Sequence, residues 1–373
     1  MIYGYVTPNS ISPEKKKDGA EGIKKKVKVN KDGSIETLSY TEAVASKAWR
    51  PGMMPLRDMK KHWTLQEFTA MDSTFNFTIK GGGKAHCKGV SLDMGECNGF
   101  QSYLREGEFQ YGRYGYLYGE FVEDDKVRVD FMYEPQQGIG NGGFEMIEGS
   151  EDEEDRVNSL ASALGLKKVG WIFGHPPREE GFVFNSEEVI MAAEMQLVDA
   201  DGLTDTNFVT VKCTVNEEGE AIFDGFQLSK QCMEMVAEGA LEEGAEPGWC
   251  QVNDTFTALV EGKESKKIDN NFMLQVVPIE QHESKKWVNK FPKRNRQGRP
   301  QCNDEMKKQL SLAGKQGYTF TQLLTDFHLL LFLSDFLDQN DMMKICESVG
   351  KERELDEGYK IIISSMAGID AGF

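Results

Sequence analysis

His175 closes the stretch Gly170-Trp171-Ile172-Phe173-Gly174-His175-Pro176, and by residue type it is the first candidate in this chain for chemistry. An imidazole can ligate a metal, pass a proton or hydrogen-bond the backbone. Ligation needs company, since a catalytic zinc takes three protein ligands and keeps one position open. Phe173, in the same stretch, has no lone pair to offer. A lone histidine makes no metal site, so His175 reads first as a strand-end residue bonded to backbone. The residues after it suggest a different use. His175, Arg178, Phe182 and Phe184 fall in the loop 174–185. Exposed aromatics beside a charged residue are the usual make-up of a binding hot spot. The alternative for Phe182 and Phe184 is burial in the domain core. Further on, Asp326 and His328 stand in an apolar run. Two apart, they do not face each other on a helix, so they read as a core or capping pair.

The elements that must position these residues follow an α/β pattern. Residues 114–122 and 127–133 alternate apolar and polar side chains around Glu123-Asp124-Asp125-Lys126, which predicts a hairpin. Residues 151–164 carry Val157, Leu160, Ala161 and Leu164 at helical spacing. Acidic residues crowd the first turn of that helix, and Gly165 suits its C-cap. Residues 168–173 read as a buried strand. Ser186 is expected to cap a helix through Leu197, with no carboxylate at the capping-box offset. A second hairpin is predicted over 208–215 and 221–228, then a helix over 231–238. Hairpin, helix, strand, helix and hairpin make one α/β (α+β) domain over 100–240. Residues 241–300 read as irregular, apart from a strand at 272–277 and a basic stretch at 290–299. Residues 303–370 read as helical, with 320–337 as one core helix. Before the domain lie an apolar strand at 1–6 and a basic linker, together 1–35, and then a weakly patterned region at 36–99 with helical turns at 65–71. The mainly helical C-terminal domain takes 241–373.

Composition narrows the function classes. The 373 residues suffice for two or three domains with sizeable cores. Lys and Arg number 43 and Asp and Glu 61, a formal charge of -18. That argues against nucleic acid as a partner, because binding it takes a basic face that displaces counterions. It suits a soluble protein with protein partners. The basic runs Lys15-Lys16-Lys17 and Lys24-Lys25-Lys26 read as solvated linker, with a nuclear-import signal as the alternative. The seven cysteines are scattered, which fits a reducing compartment. No apolar run is long enough for a transmembrane segment: the longest, near 327–336, is interrupted by Ser334 and Asp335.

Gly170–Pro176 resembles the zinc-ligand strand of the MPN/JAMM metallo-isopeptidases, with the chemistry removed. Active domains of that type carry His-x-His-Pro, and the resemblance puts Phe173 at the first histidine. They carry an aspartate ligand on Ser-x-x-Asp. The nearest serine here is Ser186, three residues before Val189, and Glu187 and Glu188 are off the spacing. They carry a glutamate base three residues before a Gly-x-x-x-Gly strand. Gly115-Tyr116-Leu117-Tyr118-Gly119 is similar to that strand, and the base position is Gly112. Of four catalytic groups His175 alone survives, which implies a scaffold that binds rather than cuts, with no metal and no cofactor.

Four stretches in series extend the resemblance, over about 98–370, to the nuclear protein localization protein 4 family. They are Gly115–Gly119 followed by Tyr133-Glu134-Pro135; Leu164-Gly165-Leu166-Lys167-Lys168-Val169 running into Gly170–Phe173; Phe223-Asp224-Gly225-Phe226-Gln227-Leu228-Ser229 with Cys232; and Asp326-Phe327-His328-Leu329-Leu330-Leu331-Phe332. The resemblance implies an MPN/JAMM-like domain followed by a mainly helical C-terminal domain. It implies a ubiquitin-chain-binding adaptor and not an enzyme. Family members pair with the ubiquitin fusion degradation 1 protein and recruit the valosin-containing AAA ATPase to polyubiquitinated proteins. Those clients are then unfolded for proteasomal or ER-associated degradation, in cytoplasm and nucleus and peripherally at the endoplasmic reticulum membrane. On this resemblance, His175, Arg178, Phe182 and Phe184 lie where an active MPN domain opens its substrate cleft, and they become the candidate ubiquitin contact.

Two features depart from the family pattern. Met1-Ile2-Tyr3-Gly4-Tyr5 looks like the last strand of the ubiquitin-like domain with which members begin, which implies that this domain is missing. His86, Cys87 and Cys97 do not make the Cys-x-x-Cys sets of the zinc fingers that many members carry, a pattern similar to plant-type members. Two other functions stay open. A structural MPN subunit of a lid-like complex shares the fold and the lost ligands, but does not predict the stretches at 223–229 and 326–332. An active JAMM deubiquitinase would need Phe173, Val189 and Gly112 replaced in role.

Overall fold

The computed structural model describes residues 75–139, 144–147, 151–178, 182–313 and 318–369, with short stretches at 26–29, 35–38, 55 and 57–58. The strand expected at 1–6 and the helical turns at 65–71 lie outside the described residues. What is described falls into two compact units, each discontinuous in sequence. One draws on residues before His86, on 182–206 and on 228–275; the other on 86–178, 207–227 and the chain from Val276 onward.

The second unit is built on an eight-stranded sheet. Across it the order is Leu274–Val277, Ala221–Leu228, Val209–Val215, Lys167–Gly174, Arg113–Val122, Lys126–Tyr133, Gly89–Asp93 and Ile279–His282. Both expected hairpins are present as antiparallel pairs. The first turns through Asp124 and Asp125, at φ 61° and 55°, a left-handed conformation that aspartate tolerates better than most residues. The strand Lys167–Gly174 pairs antiparallel with Arg113–Val122 and parallel with Val209–Val215, so the His-Pro stretch runs through the middle of the sheet. The strands ending at Val277 and beginning at Ile279 stand at opposite ends of the order, yet only Pro278 separates them. The sheet therefore curls until its two edges meet at one residue. Pro278 has no N–H to lose there, and its carbonyl accepts from Val90 N at 2.9 Å. Gly225 allows the approach, since a Cβ at that position would lie 2.6 Å from the Val277 carbonyl oxygen.

Helices cover the sheet. Phe131 stacks on Phe327 at 3.8 Å and on Tyr118 at 5.1 Å between ring centroids. These rings bring the helix Phe327–Leu333 onto the strand Lys126–Tyr133. The single helix expected over 320–337 is broken: Phe320–Leu323 and Phe327–Leu333 are separate. Asp326 is the cause. It leaves helical geometry at φ -135° and ψ 112°, and its fully buried carboxylate accepts from the amides of His328 and Leu329 with one oxygen. The other oxygen accepts from the amides of Lys290 and Phe291, at 2.7 and 2.8 Å. A residue inside a helix could not collect four amides, so capping outweighs the apolar periodicity.

In the first unit, the helix expected to be capped by Ser186 is capped by Asn185 instead. Asn185 Oδ1 accepts from Glu188 N at 2.7 Å, and the Glu188 carboxylate accepts from Asn185 N at 2.9 Å. Counted from Asn185, the capping-box carboxylate stands at the proper offset. Ser186 Oγ accepts from Gly244 N. The helices Ser186–Asp199 and Lys230–Ala237 meet around Leu197, Met233 and Ala237. Residues 241–269, expected to be irregular, hold short strands in two three-stranded sheets. Each is two to four residues long, too short to show a period, and one sheet takes its third strand from the distant Asn76–Thr78.

Candidate functional site

A strand places alternate residues on one face. On Lys167–Gly174 and just past it, Trp171, Phe173 and His175 therefore form a row. Trp171 and Phe173 stack at 5.0 Å, and the Phe173 and His175 rings are 5.9 Å apart. Trp171 and Phe173 are fully buried. The indole N–H of Trp171 donates to Thr210 Oγ1 at 2.8 Å, and Phe144 packs against both rings. Phe173 is thus a packed core ring.

His175 is 4% exposed. Its backbone N–H donates to the Cys213 carbonyl, and its carbonyl accepts from Thr214 Oγ1. Nδ1 lies 2.6 Å from the Pro176 carbonyl, which can only accept, so Nδ1 carries the hydrogen. Burial, and then the positive charges of Arg178 and Lys212, push the imidazole down to about 3, so it is neutral near pH 7. Its Nε2 makes no hydrogen bond among the described residues. Val189 and Gly112, the other positions of the metal pattern, are buried. Among the described residues, no group of three or more His, Cys, Asp or Glu side chains is placed to hold a metal ion.

The four candidate contact residues divide between the units. His175 and Arg178 belong to one, Phe182 and Phe184 to the other. Phe184 is fully buried, and its carbonyl accepts from Asn270 Nδ2, so it does not present its ring. Phe182 is half-buried and lies against Gly248, where a Cβ would come within 2.7 Å of the Phe182 Cβ. Arg178 is half-buried as well. Sequence periodicity has no means of separating Phe182 from Phe184, because both sit in a loop.

The sequence reading also missed where the basic stretch 290–299 goes. Lys293 is buried, with Nζ 2.6 and 2.5 Å from the two oxygens of the fully buried Glu96. Glu96 also accepts from Met132 N at 2.8 Å. His328 Nε2 reaches the Met132 carbonyl at 2.9 Å. Burial, and then Lys293 beside it, keep His328 neutral. Arg296 and Arg113 both bond the carboxylate of the fully buried Glu134, and Arg294 bonds Glu153 and Asp335. The stretch is a strap fastened by ion pairs to elements far away in sequence.

The sequence profile of the NPL4 family matches residues 113–276. NPL4-like protein 1 of Arabidopsis thaliana is 31% identical over 344 residues, which cover 90% of this chain and 80% of the relative. The chain belongs to the NPL4 family. Its match to NPL4-like protein 2 of the same plant is 33% over 291 residues, covering 76% of this chain and 69% of the relative. The nuclear protein localization protein 4 homolog of Dictyostelium discoideum is 30% identical over 324 residues, covering 84% of this chain and 54% of the relative. The NPL4 profile opens at the strand Arg113–Val122 and takes in the whole His-Pro strand. The α/β class expected from the order of elements is the one this NPL4 chain has, with a large mixed sheet and helices toward the C-terminus. No helix among the described residues is long and apolar enough to cross a membrane.

Proposed function

We propose that this NPL4-family chain is a ubiquitin-chain-binding adaptor that does not cleave. In this reading it acts with the ubiquitin fusion degradation 1 protein and brings ubiquitinated clients to the valosin-containing AAA ATPase. The work belongs to cytoplasm and nucleus, and to the surface of the endoplasmic reticulum membrane. One observation carries the non-cleaving part: Phe173, fully buried and stacked on Trp171, stands where a metal ligand would be needed. His175 alone offers one lone pair, and hydrolysis at a zinc-bound water takes three protein ligands. Family membership supports the adaptor part.

The purified chain, incubated with polyubiquitin, is expected to retain chains on a pulldown and leave their length unchanged. Chelator-sensitive cleavage would overturn the non-enzymatic reading. Failure to retain any chain, with capture of proteasome-lid subunits instead, would favour a structural role.

Phe182 is the half-buried aromatic residue among the candidate contacts. Phe182→Ala is expected to weaken polyubiquitin capture while shifting the melting temperature by no more than about 4 °C, the scale of a 1 kcal/mol change in a unit of this size. Unchanged capture would remove the loop from the ubiquitin-binding surface.

A further inference from the structure

We infer that a cleft in the C-terminal helical region is a docking site for an acidic peptide segment of a partner protein. The cleft encloses about 550 Å³, and Lys285, Lys286, Thr319, Gln322 and Arg353 line it. The inference does not rest on ubiquitin binding.

The charges argue first. The chain carries a formal charge of -18. Around this cleft the sign reverses. Lys285 and Arg353 are exposed and make no side-chain hydrogen bond or ion pair among the described residues. Lys286 spends one of its three N–H bonds on the Gly350 carbonyl, at 2.7 Å, lies 5.0 Å from the Trp287 ring centroid, and makes no ion pair among the described residues. A fourth cation of the lining, Lys360, is consumed by Glu354 and Glu357, at 2.9 and 2.7 Å. That leaves Glu352 as the lining carboxylate with no such engagement. Lys285, Lys286, Arg353 and Lys360 stand in the lining against Glu352 and Glu354, and that positive excess attracts an anionic ligand.

The hydrogen-bonding inventory points the same way. Gln322 Oε1 already accepts from Thr319 N at 2.9 Å, and Thr319 Oγ1 from Gln322 N at 3.2 Å. Thr321 Oγ1 accepts from Leu355 N at 3.2 Å. The lining's donors are the Gln322 amide hydrogens, the Thr319 hydroxyl hydrogen, two ammonium groups and a guanidinium. A rim of donors selects a ligand rich in acceptors, and carboxylates pair best with it. Phe320 and Val349, both buried, add an apolar floor for the aliphatic parts of such a ligand. The volume lies within the roughly 300–1,000 Å³ of pockets that enclose a small ligand. It suits a few successive side chains of an extended segment, not a folded domain.

The test uses the full chain and a short fluorescein-labelled peptide of Glu, Asp and Leu, read by fluorescence anisotropy. A second probe replaces Glu and Asp by Gln and Asn. The acidic probe is expected to bind about tenfold or more tightly than the neutral one, and to weaken as salt rises. Lys285→Glu with Arg353→Glu is expected to cost about tenfold or more in affinity for the acidic probe. Both side chains are exposed, so the melting temperature should hold. Lys308→Glu, an exposed change outside the cleft lining, should leave affinity unaltered. Equal binding of the two probes, or an unaffected double variant, overturns the inference. Saturation by inorganic phosphate without peptide binding also overturns it, since the cleft would then be a small-anion pocket. Polyubiquitin capture is expected to survive the double variant, and its loss together with the peptide would assign the cleft to ubiquitin.

Discussion

Glu134→Gln is expected to destabilise the chain by about 3–5 kcal/mol near pH 7, because it strands two guanidinium groups in the interior. Glu134 is fully buried and takes bonds from Arg296 and Arg113, while its backbone carbonyl accepts from Asn295 Nδ2 at 3.0 Å. Burial alone would raise its carboxyl. The charges of Arg296 and Arg113 outweigh burial and hold it down at about 2. A carboxylate held below its unfolded value stabilises the fold above that value and stops doing so as pH falls through the folded one. The gap between wild type and variant should therefore be constant from pH 7 to about pH 5, and close between the ordinary carboxyl value of 4.5 and about 2. Urea unfolding followed by circular dichroism at pH 7 and pH 3 measures it. Glu106→Gln, which breaks the half-exposed pair with Arg299, is the control and should cost no more than about 1 kcal/mol. Equal costs for the two variants would mean that the strap is not fastened by its buried pairs.

Phe327→Ala is expected to cost about 3–5 kcal/mol, the usual range for removing a fully buried aromatic ring. Phe327 is inaccessible, stacks on Phe131 at 3.8 Å and on Tyr118 at 6.2 Å, and meets His328 edge-on at 5.7 Å. These rings join helix to sheet, so the cavity left behind is walled by rigid neighbours that cannot collapse into it. In a unit of this size the loss amounts to a fall in melting temperature of about 6–20 °C. Phe336→Ala removes a ring that is 57% exposed and should change stability by only about 0.5 kcal/mol. A small effect at Phe327 would show that the helix Phe327–Leu333 is held by its capping carboxylate more than by its rings.

The sequence by itself determined the features that depend on neighbours a few residues away. Both hairpins, the helix over 151–163 and the central strand were legible because alternation and helical spacing are local. On the resemblance to the metallo-isopeptidases, Phe173 and Val189 stand at ligand positions and Gly112 at the base position, a reading that needs residue types alone. Tertiary structure decided whatever depends on partners distant in the chain. The stretch 290–299 has the composition of a solvated basic loop, yet Lys293 meets Glu96 from 197 residues away and Arg296 meets Glu134 from 162. Nothing near either residue announces that burial. Asp326 breaks an apolar run because the amides of Lys290 and Phe291 arrive to share its carboxylate. Phe184 goes inside while Phe182 stays half-exposed, a difference set by what packs around the loop. The curl of the sheet at Pro278 is likewise invisible in a single strand's pattern. A charge, an aromatic ring or a turn carries no record of its burial, because burial is a property of what the rest of the chain brings up against it.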